Sequence, residues 1–314
     1  MEKPLVSICC TTYNHAQFIR QCLDGFMMQQ TSFPFEVLIH DDASTDGTAD
    51  IIREYEAKYP GIIKPIYQTE NQYSKGVKIS ATYQFPRAQG KYIAMCEGDD
   101  YWTDPHKLQK QVDFLESNPG YSLCSHCYSI YDEETREWSL DDGGKFLSDG
   151  VEGITFDYEF NLLKVWLAQT LTMVFRRESL ELSVFSRYKF PMNVHLIYHV
   201  LKNGKGYCFN FNAAVYREHT GGVWAKKTSR YQASKAYENH KELYTKNKND
   251  SVLKKIARDR LVRYYNSVIK PDIAEKKITK EIFLRLVSFV RDELRLFGLK
   301  HIKTKMLAFL TGKT

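Results

Sequence analysis

The strongest constraint on the fold of this chain is an alternation that runs over residues 5–100. Short apolar runs at 5–10, 35–40, 62–67 and 91–96 take turns with segments of helical spacing. Each run has the length of one strand and is too short for a helix. Between the runs, Phe18, Ile19, Cys22, Leu23, Phe26 and Met27 recur on one helical face. Ile51, Ile52 and Tyr55 do so on another, before Pro60-Gly61 stops the pattern. Strands alternating with helices predict an α/β fold with a mostly parallel, Rossmann-like central sheet and helices on both faces. Such sheets bind ligands beyond the carboxyl ends of their strands. Polar clusters stand at three of these ends: 11–14, 41–46 and 97–100.

Further along, Pro105 opens a helix over 107–116, and the acidic, Gly-rich stretch 132–153 reads as a loop or a short irregular excursion. A strand is expected over 170–176 and a helix over 194–202, stopped by Asn203-Gly204. A strand over 206–211 follows, then 213–220 and the turn Gly221-Gly222. From about Thr228 the pattern is helical to the end. The chain therefore divides into 1–225, which carries all the polar clusters, and a helical extension, 226–314.

The net charge of +6 is concentrated in that extension, where residues 275–314 hold ten Lys and Arg against four Asp and Glu. In its last helix Ile282, Phe283, Leu286, Phe289, Val290, Leu294 and Phe297 recur at helical spacing, interleaved with Arg285, Arg291, Arg295, Lys300, Lys303 and Lys305. This pattern fits a helix packed on the rest of the chain or on a second copy, and it fits a helix lying on anionic lipid. It does not fit a nucleic-acid groove, because the basic residues lie on one amphipathic tail. The start of the chain has no signal-peptide h-region, and no run of 18 apolar residues is present. The seven cysteines sit mainly in apolar runs, and Cys124 and Cys127 fall on opposite faces of an alternating segment. Both observations predict reduced core thiols in a cytoplasmic protein, peripheral at most to the inner face of the cell membrane.

Glu97-Gly98-Asp99-Asp100 puts three carboxylates within four residues at a strand end. A divalent cation relieves their repulsion, and Mg²⁺ or Mn²⁺ prefers such oxygen ligands. The alternative is a solvated acidic turn. Gly98 permits a sharp turn and a close approach of phosphate, and Trp102 offers a pocket wall. Asp41 and Asp42 can accept hydrogen bonds from a nucleobase or a ribose. Ser44, Thr45 and Asp46 suit plain helix capping. A metal beside a base-binding carboxylate pair is the equipment for handling a nucleotide diphosphate.

Taken together, Thr12-Tyr13-Asn14, then Asp41-Asp42-Ala43-Ser44-Thr45-Asp46-Gly47-Thr48, then Glu97-Gly98-Asp99-Asp100-Tyr101-Trp102 with Pro105, resemble the family 2 glycosyltransferases of GT-A fold. Order and spacing match over about residues 4–120, and more loosely to Tyr216-Arg217-Glu218-His219-Thr220-Gly221-Gly222-Val223-Trp224. The resemblance implies an inverting transfer of sugar from a nucleotide-diphosphate donor (UDP, GDP or dTDP) to a glycan or lipid-linked acceptor, in surface polysaccharide or glycolipid synthesis. Asp41 or Asp42 would meet the base, in a pocket lined by Thr12 and Tyr13 with Asn14. Asp99 would be the metal ligand of the DxD motif, with Glu97 as its first acid and His219 near the metal. Arg87, ahead of the fourth strand, would meet a phosphate.

The family's general base is usually an Asp before the helix at 194–202, where this chain has Asn193. Three readings stay open. Another acid, Asp157 or Glu159, is the base; His195 is the base; or transfer has been lost and the chain is a donor-binding or scaffold protein. A nucleotidyltransferase is disfavoured because the loop after the first strand, Thr11 to Ala16, has no glycine.

Overall fold

The computed structural model describes residues 2–147, 150–189, 193–222, 227–274 and 280–297. These form two compact units that divide at Gly221/Gly222.

The first unit is built on one mixed sheet. Its strands are β1 (Val6–Thr12), β2 (Phe35–Asp41), β3 (Ile63–Tyr67), β4 (Tyr92–Met95), β5 (Tyr101–Trp102), β6 (Tyr121–Asp132), β7 (Trp138–Leu140), β8 (Gly153–Phe156), β9 (Val174–Arg176) and β10 (Lys205–Glu218). The spatial order is β3-β2-β1-β4-β9-β6-β10-β5, with β7 beside β6 and β8 beside β10. Neighbours among β3, β2, β1 and β4 are parallel, as are β6 and β10. β9, β5, β7 and β8 run antiparallel to their partners.

The apolar runs are continuous because both sheet faces are covered. Val6, Ile8, Cys10, Val37, Ile39 and Ala94 point into one core. Cys9, Leu38, Ile93 and Met95, the alternate positions, point into the other. The first core is closed by α1 (Ile19–Met27), α2 (Thr48–Lys58) and α3 (Lys107–Ser117). The short helices α4 (Asp142–Phe146), α5 (Tyr158–Leu163) and α6 (Leu182–Phe185) lead to α7 (Asn193–Leu201), whose Leu196, Ile197 and Val200 fill the second core. The cysteines are all free and buried; Cys124 joins the first core and Cys127 the second, as their odd spacing requires.

Two sequence expectations change. The strand over 170–176 is only Val174–Arg176, preceded by a 3₁₀ turn, Thr170–Thr172. The segments 206–211 and 213–220 are one fourteen-residue strand, β10, whose register shifts beside Phe209 and Asn212 broke its alternation. The stretch 132–153, expected as a loop or a short irregular excursion, contains the three-residue β7 and the five-residue α4.

The second unit is helical: α8 (Ser229–Lys246), α9 (Ser251–Tyr264), α10 (Lys270–Ala274) and α11 (Lys280–Phe297). Thr228 starts α8 by accepting the Tyr231 N–H. Tyr237, Ala257, Leu261, Ile269, Phe289 and Leu296 form its core. Within it the Tyr237 hydroxyl donates to Asp292 Oδ2 at 2.6 Å. Of the apolar tail positions, Phe289 is buried while Val290 and Leu294 are exposed. Lys300, Lys303 and Lys305, on which the lipid reading partly rested, lie outside the described residues. No helix among the described residues is long and apolar enough to cross a membrane.

Candidate functional site

The loops after β1 and β2 clasp each other. Asn14, in the left-handed region at φ 54°, accepts the Thr45 N–H at 2.8 Å on its side-chain oxygen. In return the Ser44 hydroxyl accepts the Asn14 N–H at 2.9 Å. Asp46 accepts the Ala16 N–H at 2.9 Å, and the Thr48 hydroxyl accepts the His15 N–H at 2.8 Å. The turn-forming residues of one loop thus satisfy the backbone of the other, and His15 is fixed at the centre. Asp41 is buried and accepts the Ser44 hydroxyl at 2.5 Å. Asp42 spends both oxygens on a third loop, accepting the N–H groups of Gln72 and Tyr73 at 2.8 and 3.0 Å.

The acidic run follows β4 and docks on the end of β1, where the Gly98 N–H donates to the Thr11 carbonyl at 2.9 Å. A Cβ at Gly98 would stand 2.7 Å from the Thr12 side chain and 3.0 Å from Ile19 Cδ1. Glycine is therefore required by internal packing. Asp100 is buried and accepts the Arg217 N–H at 2.9 Å, tying the run to β10. The Arg217 guanidinium donates to the Asp99 carbonyl at 2.7 Å and to Gln21, pairs with Glu133 at 3.0 Å, and lies over the rings of Tyr101 and Phe18.

This frame presents Asp99. Its Oδ2 lies 3.2 Å from His219 Nε2 and 3.7 Å from His15 Nε2. Ligand atoms of His15, Asp99 and His219 all fall within 4.8 Å of one another. The His219 ring rests on Phe18 at 4.8 Å. The three acids of the run are differentiated. Burial pushes Asp99 up, but the hydrogen bond with His219 and the fields of His15 and His219 hold it below the usual carboxylate range. Burial, then the Asp99 charge, raises Glu97 to about 8. Burial and the charges of Asp99 and Glu97 push Asp100 well up. Two imidazoles and one ionised carboxylate fit a divalent cation, and their mixed nitrogen and oxygen donors suit Mn²⁺ as well as or better than Mg²⁺.

Glu97 lies outside that cluster. Thr170 is among the groups that favour its ionised form, against the larger effect of burial. The Thr170 hydroxyl accepts from Asn193 Nδ2 at 2.5 Å. His195 is 0% exposed, with its ring 4.3 Å from that of Tyr188. Asp157 caps α5 by accepting the Phe160 N–H at 2.8 Å, an ordinary structural duty.

Other expected contacts also move. Trp102 is 2% exposed, packs on Phe26, and donates its indole N–H to the Leu171 carbonyl at 2.8 Å. It is core rather than a pocket wall because the pairing of β5 with β10 turns it inward. Arg87 donates to the Lys64 carbonyl at 3.2 Å and lines a cleft with Lys3, Glu36 and Gln89, toward the amino ends of β2 and β3. That is the wrong end of the sheet for a phosphate at Asp99. Thr12 is 1% exposed beneath Gly98, and Asn14 and Asp42 are spent on loops. Tyr13 remains accessible at the strand end. Sequence reasoning missed His15 and Arg217. His15 could have been found as the histidine that directly follows the first strand-end cluster; the role of Arg217 depends on β10 running beside β5, which no local pattern announces.

The first unit is a mixed α/β sheet with a His/Asp cluster beyond the carboxyl ends of β1 and β4, the edge at which such sheets place ligands. The chain belongs to glycosyl transferase family 2, whose sequence profile matches residues 7–220. An uncharacterized Mycobacterium tuberculosis protein is 37% identical over 220 residues, 70% of this chain and 60% of that protein. The chain thus spans less than two thirds of that relative. An Escherichia coli protein, the UDP-Glc:alpha-D-GlcNAc-diphosphoundecaprenol beta-1,3-glucosyltransferase WfaP, is 33% identical over 124 residues, 40% of this chain and 46% of that one. Among solved structures, residues 1–349 of Staphylococcus aureus TarS in complex with UDP-GlcNAc superpose with TM-score 0.63 at 18% identity, covering 93% of this chain and 81% of that chain. That likeness shows a shared fold.

Proposed function

We propose that the chain is an inverting, metal-dependent glycosyltransferase, acting in the cytoplasm on a nucleotide-diphosphate sugar and an acceptor hydroxyl in surface polysaccharide or glycolipid synthesis. The observation that carries this reading is the convergence of Asp99 and His219 at 3.2 Å, at the strand ends where a nucleotide diphosphate binds in such folds. Names of similar proteins support it: TarS was solved with UDP-GlcNAc, and WfaP is a glucosyltransferase acting on a lipid-diphosphate-linked sugar.

Asp99 and His219 would hold Mn²⁺ or Mg²⁺. Such an ion supplies Lewis-acid neutralisation of the leaving diphosphate. The protein supplies placement. Arg217 fixes the backbone of Asp99 and adds positive charge behind it. Asp41, with the accessible ring of Tyr13 on the neighbouring loop, is the candidate for the nucleoside. Glu97, influenced by Thr170, whose hydroxyl accepts from Asn193, is the carboxyl group we assign to the acceptor hydroxyl. For the partner of α11, the exposed Leu284, Val287, Val290 and Leu294 support contact with a lipid surface or a second copy of the chain.

A thermal-shift screen of UDP, GDP and dTDP with Mn²⁺ tests the central reading. One nucleotide at a hundredfold excess over its Kd should add about 2.7 kcal/mol of stability. No shift with any of the three would end it. A second reading, a donor-binding protein without turnover, is favoured by the amide at Asn193. Slow Mn²⁺-dependent hydrolysis of the matching nucleotide-sugar separates the two, since a pure binder releases no nucleotide.

A further inference from the structure

We infer that His15 is a third protein ligand, so that His15, Asp99 and His219 form a complete cation site that takes up Mn²⁺ before any nucleotide arrives. The inference rests on the metal-dependent reading above and deepens it.

Both nitrogens of His15 call for a partner. Its Nδ1 is buried without a hydrogen bond. Its Nε2 faces Asp99 Oδ2 at 3.7 Å, beyond hydrogen-bond range. The same oxygen takes His219 Nε2 at 3.2 Å from the other side. Two imidazoles therefore aim at one carboxylate oxygen from two separate segments. The rings stand edge to face, 6.1 Å apart at 87°, with space between them rather than a stack. Small side-chain rotations of His15, Asp99 and His219 would let all three hold one cation, since their ligand atoms already lie within 4.8 Å of one another. The side chains are 16%, 19% and 12% exposed for His15, Asp99 and His219, so water and ions reach the site while the donors stay fixed.

The fixing is visible in the backbone. His15 cannot drift, because its N–H and that of Ala16 are held by Thr48 and Asp46 of the facing loop. Asp99 is held through its carbonyl by Arg217, which precedes His219 by two residues. The three ligands thus come from three loops that are cross-tied without any nucleotide. Three protein donors leave the remaining positions for donor-phosphate oxygens and water. The two nitrogens also set a preference: first-row transition ions, which take imidazole more readily than Mg²⁺ does, should bind the free protein in the order Mn²⁺ below Co²⁺ and Zn²⁺, whereas Mg²⁺ should need the added oxygens of a nucleotide diphosphate.

The test uses the full chain stripped of metal and titrated with Mn²⁺ alone, reading the loss of the free-ion electron paramagnetic resonance signal. The wild type should show one saturable site, and pulsed measurements should detect two imidazole nitrogens on the bound ion. His15→Ala should weaken Mn²⁺ at least tenfold. His15→Glu, of similar reach, should restore much of the affinity while leaving a single imidazole nitrogen. Thermal unfolding in chelator shows that each variant is folded, and His15→Glu carries the test if His15→Ala is not. Wild-type affinity in His15→Ala, or one nitrogen in the wild type, overturns the inference. Wild type that ignores Mn²⁺ alone yet binds Mn²⁺ with UDP, GDP or dTDP overturns it and leaves the proposed function standing. Wild type that binds neither overturns both.

Discussion

Gly98→Ala is the sharpest test of how the acidic run is seated. The new Cβ would stand 2.7 Å from both Thr12 Cβ and Oγ1 and 3.0 Å from Ile19 Cδ1, where ordinary contact begins near 3.4 Å. Relief requires about 0.7 Å of separation between the run and the end of β1, both of which are buried at this point. Thr12 cannot simply rotate away, because its Cβ is itself in the overlap. Overpacking of this kind costs about 1–3 kcal/mol. In a unit of this size that lowers the thermal midpoint by about 2–12 °C. Urea unfolding followed by tryptophan emission gives the free energy, with Trp102 four residues from the lesion. A double-mutant cycle isolates the cause. Thr12→Gly removes the opposing Cβ, so on the Gly98→Ala background it should recover about 1 kcal/mol that it does not give alone. Mn²⁺ affinity should fall with stability in the single variant and return in the double, because Asp99 is the next residue. Strict additivity of the two substitutions, or a Gly98→Ala protein within about 0.5 kcal/mol of wild type, would refute the steric argument.

Two further substitutions probe the surroundings. Asp42→Ala removes the acceptor of the Gln72 and Tyr73 N–H groups, so it should cost about 2 kcal/mol and release those two amides to hydrogen exchange; unchanged protection would show that Asp42 does not pin the loop. Lys107 is 0% exposed, donates to Gln111 at 2.7 Å, and is lowered by burial from 10.5 to about 7. Its folded-state pKa lies below its unfolded value, so the unfolded chain binds the extra proton and stability rises with pH between about 7 and 10.5. The penalty of about 4 kcal/mol at pH 7 shrinks to about 2 at pH 9, and Lys107→Met should lack that rise of about 2 kcal/mol; identical pH slopes for the two proteins would disprove it.

The parallel half of the sheet was legible because strands covered on both faces are apolar at most positions, as in β1, β2 and β4, and these runs stand between helical faces. The other half was less so. β10 pairs with three strands, and its shifts of register break the alternation that would have announced one long element. Strand β9 is three residues long, and a 3₁₀ turn supplies the rest of the apolar segment. Local periodicity carries no information on either, since both are set by pairing between residues far apart in sequence.

The site shows a similar limit at the level of single side chains. Asp99 could be named from type and place, and His219, 120 residues on, from the family resemblance; their side chains meet. What type and place do not reveal is which polar groups have already been spent. Asn14, Asp42 and Asp100 look like ligand-binding residues in sequence, and each satisfies backbone N–H groups of another loop or strand. Such groups stabilise the site by leaving no orphaned donors in the loops that bear it. His15 is the reverse case. It sits among these clasping residues and looks like one of them, yet its side chain is the one the clasp leaves without a hydrogen bond. A polar residue at a strand end is therefore assigned to the fold or to the ligand by its remaining hydrogen-bonding capacity, and on that criterion the loop after β1 gives the site a histidine while keeping its asparagine for itself.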